Sequence, residues 1–140
     1  MDKVKGLAFR KADLHVHTPK SLCYREPAVT PEQIVDTALS VGLEIVGITD
    51  HNTVDAIDDI RTAAQQKGLV IFPGVELSTR GGHVIALFEI DTPLAEMQDF
   101  INQVGLPRGG QGDATVMVES GIEEVFQKIH ERGGVSICLL

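Results

Sequence analysis

The segment Ala12-Asp13-Leu14-His15-Val16-His17-Thr18 decides how this chain is read. Two histidines one residue apart in an apolar run put two imidazoles on one face of an extended strand, because side chains alternate with period two. Two rings at that spacing can hold one metal ion. Asp13 falls on the same odd-numbered face, and Leu14 and Val16 are expected on the other, packed face.

Three later strand-like segments each bring another metal-competent side chain: His51 after Thr49-Asp50, Glu76 after Pro73-Gly74-Val75, and His83 after Gly81-Gly82. His-x-His alone is a short motif that chance supplies often, so its weight comes from these three companions. The fifth histidine, His130, falls on the polar side of a predicted helix and reads as solvated.

A length of 140 residues suits one domain with room for a core. Hydrophobic content of 43% with 23% charged residues is that of a soluble globular chain without a disorder signature. A net charge of −8 argues against a general nucleic-acid-binding surface. It leaves a nucleotide or a nucleic-acid end open as substrate, because bound divalent cations invert the local sign. Two cysteines, Cys23 and Cys138, provide no disulfide framework. Cys138, among apolar residues, reads as a small core side chain, and Cys23 as a loop thiol. Met1 to Arg10 is charged and lacks the long apolar run of a signal peptide, and no stretch approaches the roughly 20 apolar residues of a membrane span. A cytoplasmic, reducing setting is the expectation.

In chain order, Leu7 to Val16 reads as strand one and Leu22 to Val29 as loop. Thr30 then caps helix one, with Pro31 at its first position, Gln33 completing a capping box, and Gly42 ending it. Glu44 to Thr49 is a buried strand two. Val54 to Lys67 is helix two, whose early aspartates, Asp55 to Asp59, complement the helix dipole. Leu69 to Leu77 forms strand three, His83 to Phe88 strand four, and Pro93 to Val104 helix three. Gly105 to Gly112 has no apolar periodicity and is expected as an exposed, mobile loop. Ser120-Gly121-Ile122-Glu123 reads as a capping box opening helix four, and Val135 to Leu140 as strand five. Alternating strands and helices with apolar strands predict a parallel sheet covered by helices, an α/β barrel or a doubly wound sheet. There is no Gly-x-Gly-x-x-Gly after strand one and no phosphate-binding Gly-Lys-Ser/Thr loop, which argues against dinucleotide and nucleoside-triphosphate folds.

His15, His17, Asp50, His51 and Glu76 all fall at or just past a predicted strand end, where α/β barrels gather their chemistry. His83 fits that rule less well, since it opens its strand. Three or four imidazoles with one or two carboxylates suit zinc, manganese or iron better than calcium, which takes oxygen ligands. A glutamate can bridge two metals about 3.5–4 Å apart, an arrangement that activates water and clamps phosphate oxygens. Neither serine near these motifs stands in a nucleophile-elbow sequence.

Asp13-Leu14-His15-Val16-His17-Thr18-Pro19-x-Ser21, Gly47-Ile48-Thr49-Asp50-His51-Asn52-Thr53, Pro73-Gly74-Val75-Glu76-Leu77-Ser78 and His83-Val84-Ile85-Ala86-Leu87-Phe88, in that order, resemble the polymerase and histidinol phosphatase (PHP) domain family. The resemblance implies a distorted TIM-like barrel of seven strands, a site of two or three divalent metals (manganese, zinc or iron), and hydrolysis of phosphate esters. It implies that His15 and His17 hold one metal, that Glu76 bridges to a second ligated by His83, and that His51 serves a third. Asp50 and Glu76 are then the candidate catalytic carboxylates. Asp50 precedes an implied ligand and reads as a residue that orients it. Thr18 and Ser21 match the motif and are assigned positioning only. Lys20 and Arg80 are candidate phosphate contacts, each against the plainer reading of a solvated loop charge.

Leu22 and Cys23 stand where family members often carry an acidic residue or histidine. Family members also continue from a strand like Val135–Leu140 into Ala-His-Pro and later Asp-x-His, neither of which follows that strand in these residues. Residues 1–140 are therefore expected to form the N-terminal half to two-thirds of a PHP barrel. An open edge at strand five would favour self-association or a fused domain completing the barrel, as in PHP domains placed ahead of ATPase modules. Three functions follow: a metal-dependent phosphoesterase acting on a small phosphate ester, a nucleotide or a nucleic-acid end; an incomplete module with a structural or regulatory role in a larger protein; and, with least support, an amidohydrolase-like metal enzyme.

Overall fold

The computed structural model describes residues 6–139. Met1 to Lys5 of the charged N-terminal segment, and Leu140 at the predicted end of strand five, lie outside the described residues. The elements follow in the predicted order: β1 (Ala12–Val16), α1 (Pro31–Ser40), β2 (Ile45–Ile48), α2 (Ile57–Ala64), β3 (Val70–Thr79), β4 (Gly82–Leu87), α3 (Leu94–Val104), α4 (Ile122–Glu131) and β5 (Val135–Leu139).

Boundaries move where local hydrogen bonding overrides periodicity. β1 begins at Ala12 rather than Leu7, because β2 offers partners only from Ile45, opposite Ala12; Leu7 and Phe9 lie fully exposed. The capping box of α1 forms as predicted, with Gln33 N–H donating to Thr30 Oγ1 and Thr30 N–H to Gln33 Oε1. The box predicted for α4 does not form. Ser120 N–H is taken by the Val104 carbonyl at 3.0 Å, and Gly121 caps the helix instead. α2 starts three residues late because Asp55 N–H donates to Thr53 Oγ1, holding a turn where a first helical turn was expected.

One mixed sheet in the order β1-β2-β3-β4-β5 replaces the expected parallel one. β1, β2 and β3 are parallel, whereas β4 pairs antiparallel with β3 and with β5. Thr79 pairs with Gly82 across a hairpin turn, and so short a link cannot make the crossover a parallel pair needs. The start of β4 therefore lies at the same end of the sheet as the C-terminal ends of β1–β3. That reversal resolves the awkward placement of His83.

The sheet is an open half-barrel. Its helix-covered face is packed by Val35 and Ala38 of α1, Ile57 and Ile60 of α2, Phe100 and Ile101 of α3, and Val125 and Ile129 of α4 against Val46, Ile48, Leu77 and Val84. Leu14, Phe72, Leu87 and Ile137 line a cleft on the sheet. Among the described residues β1 pairs only with β2 and β5 only with β4, so each leaves one edge unpaired. Cys138, expected in the core, is exposed on that outer strand. The face alternation predicted for β1 is also interrupted, by a register shift between Asp13 and Val16. Leu14 lines the apolar cleft, whereas Val16 borders a groove against α1 with Asp13 and Ile34, so the two do not share a face. Among the described residues, no helix is long and apolar enough to cross a membrane.

Candidate metal centre

The β2–β3 ladder runs one step past β2. Glu76 N–H donates to the Asp50 carbonyl at 3.0 Å and Asn52 N–H to the Glu76 carbonyl at 2.9 Å, which sets His51 beside Glu76. Across the β3–β4 hairpin, Glu76 pairs with Ile85 and Ser78 with His83, so His83 is the diagonal, same-face neighbour of Glu76. His15 and His17 reach the same carboxylate from the end of β1.

Glu76 is the hub. Its Oε2 lies 2.8 Å from Nε2 of His15 and 2.8 Å from Nε2 of His17, and those two nitrogens are 3.1 Å apart. Its Oε1 lies 2.9 Å from His83 Nδ1, and His51 Nδ1 stands 3.6 Å from Oε2. Burial pushes the Glu76 carboxyl up, but the bonds from His17 and His15 prevail and hold it at about 2. Glu76 is therefore an anion at neutral pH. His51 shifts down, first because burial disfavours its cation, although the Glu76 charge opposes this, and so it is neutral.

These residues fit a divalent metal. Adjacent ligands of an ion with bonds of about 2.0–2.1 Å stand about 3 Å apart, close to the His15, His17 and Glu76 spacings. The Nδ1 atoms of His51 and His83 are buried without a hydrogen-bond partner; the 2.9 Å contact of His83 with Glu76 lacks hydrogen-bond alignment. Orphaned nitrogens facing one carboxylate are costly unless a cation serves them. Metal-competent donors group as His15–His17–Glu76, His51–Glu76–His83 and His17–Cys23–His51.

Asp50 is fully buried, and its oxygens accept from Thr18 N–H at 2.7 Å, Thr18 Oγ1 at 2.7 Å and Ser21 Oγ at 2.6 Å. Ser21 Oγ in turn accepts from His51 N–H at 3.0 Å. Asp50 thus folds the turn after β1 onto the end of β2. Lys20 and Arg80 are exposed, on the turn after β1 and on the β3–β4 turn, and neither side chain forms an ion pair among the described residues. His130 is exposed, as its helical position predicts.

The segment expected as a mobile loop is instead tied to the centre. Gly112 N–H donates to the His51 carbonyl at 2.8 Å, and the Gly112 carbonyl accepts from Leu22 N–H at 2.9 Å. Asn52 Nδ2 donates to the carbonyls of Asp113 and Val116, each at 2.8 Å, and its Oδ1 accepts from Ser78 N–H. Sequence reasoning missed Asn52 and Gly112 as supports. Asn52 sits at φ 53°, a left-handed conformation that asparagine tolerates, and Asp-His-Asn after a strand was the available signal.

The family model of the PHP domain matches residues 13–132. The chain belongs to the PHP domain family. An uncharacterized protein of Methanocaldococcus jannaschii is 30% identical over 135 residues, covering 91% of this PHP chain and 66% of that protein. A 5′-3′ exoribonuclease Rnm of Salmonella typhimurium is 35% identical over 106 residues, covering 71% of this chain and 34% of that one. This PHP chain thus spans between a third and two-thirds of those relatives' lengths. In fold it matches a two-domain protein of Bacteroides vulgatus containing a predicted PHP-like metal-dependent phosphoesterase. That match has a TM-score of 0.62 and 20% identity, over 91% of this chain and 34% of that one.

Proposed function

We propose that this PHP chain carries a metal-dependent phosphoesterase centre that hydrolyses a phosphate mono- or diester, with nucleotides or nucleic-acid ends as the substrate class. The observation that carries the reading is the buried, ionised Glu76 carboxylate with four imidazoles converging on it. The similarity to an exoribonuclease supports the substrate class.

His15 and His17 would hold one divalent ion, Glu76 with His83 a second, and His51 a third, the ions being of the manganese, zinc or iron class. When bound, such ions activate water and neutralise charge on phosphate oxygens. Glu76 enters that arrangement already deprotonated. Asp50 is a positioning residue: its carboxylate fixes Thr18 and Ser21, and through Ser21 the backbone of His51. Lys20 and Arg80, exposed on the turn after β1 and on the β3–β4 turn, are the candidate contacts for substrate phosphates. A reducing, cytoplasmic setting agrees with two free cysteines.

A second reading, a metal-holding module within a larger protein that lacks turnover by itself, is favoured by the unpaired edges of β1 and β5. Elemental analysis of chelator-free protein, with phosphomonoester and phosphodiester assays under added manganese, separates the two. Two or more ions per chain with turnover abolished by His17→Ala supports the phosphoesterase. Bound metal without turnover supports the module, and no metal at all overturns both.

A further inference from the structure

Most arginines and lysines among the described residues are already engaged. Arg10, Arg61, Lys67, Lys128 and Arg132 each pair with a carboxylate, and Lys11 Nζ donates to the Val41 carbonyl at 2.6 Å. These cations sit on α2 and α4 or just before β1, β3 and β5. The exceptions are Lys20, Arg25, Arg80 and Arg108, all exposed and none in an ion pair among the described residues. Their nearest acidic neighbours in sequence do not claim them. Glu26 pairs with neither Lys20 nor Arg25, and the Asp113 carboxylate accepts instead from Thr115 N–H at 2.8 Å and Thr115 Oγ1 at 2.7 Å.

The untied cations share one end of the molecule. Lys20 and Arg25 lie on the segment after β1, Arg80 on the β3–β4 turn and Arg108 between α3 and α4. All three segments stand at the end of the sheet that carries Glu76 and its histidines. Gly112 ties the last of them there, donating to the His51 carbonyl at 2.8 Å and accepting from Leu22 N–H at 2.9 Å. A chain of net charge −8 thus leaves its cations free only around the metal centre. Exposed charges contribute little to folding, but together they offset the acidic balance where an anion approaches.

One phosphate does not need so wide a rim. β2 separates β1 from β3, so the turns that follow them stand about 10 Å apart at ordinary strand spacing. Tyr24 adds a second kind of contact. With His17, Val29 and Gln33 it lines a groove of about 800 Å³ that opens beside the metal centre. An aromatic ring next to an arginine is a platform on which a base can stack.

We propose that Lys20, Arg25, Arg80 and Arg108 form a rim that binds internucleotide phosphates beyond the scissile one, with a base stacked on Tyr24, so that the substrate is a single-stranded oligonucleotide. The inference rests on the phosphoesterase reading above and narrows its substrate class. Arg25 and Arg108 are the contacts it adds, and they set preference for length rather than the chemistry of cleavage.

Binding of a 5′-phosphorylated, 3′-fluorescein-labelled uridine hexanucleotide to the chelator-treated whole chain tests the rim without turnover. At about 50 mM salt the hexanucleotide should bind about tenfold or more tightly than uridine 5′-monophosphate, with log affinity falling against log salt by about 0.7 per phosphate contacted. Combining Arg25→Gln with Arg108→Gln should weaken the hexanucleotide about tenfold and lessen that slope by about 1.4, with monophosphate affinity kept within about twofold. Tyr24→Leu should weaken the hexanucleotide about fivefold or more at an unchanged slope. Equal affinity for the two probes, or an equal loss of both in the double variant, would overturn the rim. A short linear inorganic polyphosphate that displaces the probe as well as unlabelled hexanucleotide does would overturn the nucleic-acid assignment. Turnover under manganese scores the two readings apart. Rim binding as described but no cleavage would refute the phosphoesterase and keep the rim. Cleavage of hexanucleotide and of p-nitrophenyl phosphate with equal kcat/KM would keep the phosphoesterase and refute the rim.

Discussion

His51 and Glu76 face each other across a single parallel bridge that carries the β2–β3 ladder one step beyond the end of β2. The bridge makes the main chain, rather than a flexible loop, responsible for placing an imidazole beside the central carboxylate. The metal-competent groups of β2, β3 and β4 therefore share the rigidity of the sheet.

Glu76→Gln should abolish multi-ion binding. The amide keeps the shape but loses the charge that His15, His17 and His83 share. Removing residues that merely support a ligand typically costs 10–100-fold in metal affinity, so a loss beyond about 100-fold is expected here. Competitive titration with a zinc chelator measures it, and affinity within a few fold of the unmutated chain would show that Glu76 is not the hub.

The metal-free protein should lose stability in two steps on acidification. The pKa of His51 lies below its ordinary 6.5, chiefly through burial, so below 6.5 the unfolded chain binds more protons than the folded one. Its contribution is fully present above that pH and falls away beneath it. Burial pushes Glu76 up but its histidine bonds hold it at about 2 against an ordinary 4.5, so its contribution is lost as pH falls from 4.5 toward 2. Urea midpoints of chelator-treated protein should drop through both windows, and His51→Gln should remove the upper step alone. A midpoint unchanged through the upper window would contradict the buried, neutral state of His51.

Asp50→Asn should weaken folding more than chemistry alone requires. Thr18 N–H and Ser21 Oγ donate to one carboxylate oxygen and Thr18 Oγ1 to the other, and asparagine keeps an acceptor oxygen for the first pair but meets the third donor with an amide nitrogen that cannot accept. Leaving buried donors unserved costs about 1–3 kcal/mol each at most. A loss of about 1–3 kcal/mol in denaturant unfolding is expected, with metal affinity falling by about 10–100-fold as the turn that holds His51 loosens. Unchanged stability would mean that the turn after β1 holds without Asp50.

Gly112→Ala and Gly109→Ala form a matched pair. Both glycines have φ +80°, but a Cβ at Gly109 meets nothing within 4 Å, whereas one at Gly112 would overlap the Lys20 carbonyl oxygen. Backbone strain at such positions costs about 1–3 kcal/mol. Gly109→Ala should show that cost alone, and Gly112→Ala a clearly larger one, together with faster hydrogen exchange at Leu22. Equal losses would mean that the close approach of the 105–119 segment to the turn after β1 contributes nothing.

Much of the centre was legible before the fold. His15 and His17 were legible as neighbours from their spacing at the end of β1, and His51 from the apolar run that stops at the end of β2, whereas Glu76, read as near a strand end, lies inside β3, which continues to Thr79. The N-terminus of α1 was equally legible, since Thr30 and Gln33 act within four residues and need no tertiary partner. His83 could be named by its motif but not placed.

Chain local in sequence, then, determined the elements, the first capping box and the ligand types, because those depend on neighbours within a turn or a pleat. Tertiary structure alone decided that β4 runs antiparallel, which carries His83 to Glu76, and that Cys138 on the outer strand is exposed. It alone drew Gly105–Gly112 from an expected free loop into hydrogen bonds with His51 and Leu22, and brought Cys23 beside His17. Each of these contacts joins residues distant in the chain or depends on an edge left unpaired, and a local pattern carries no record of either.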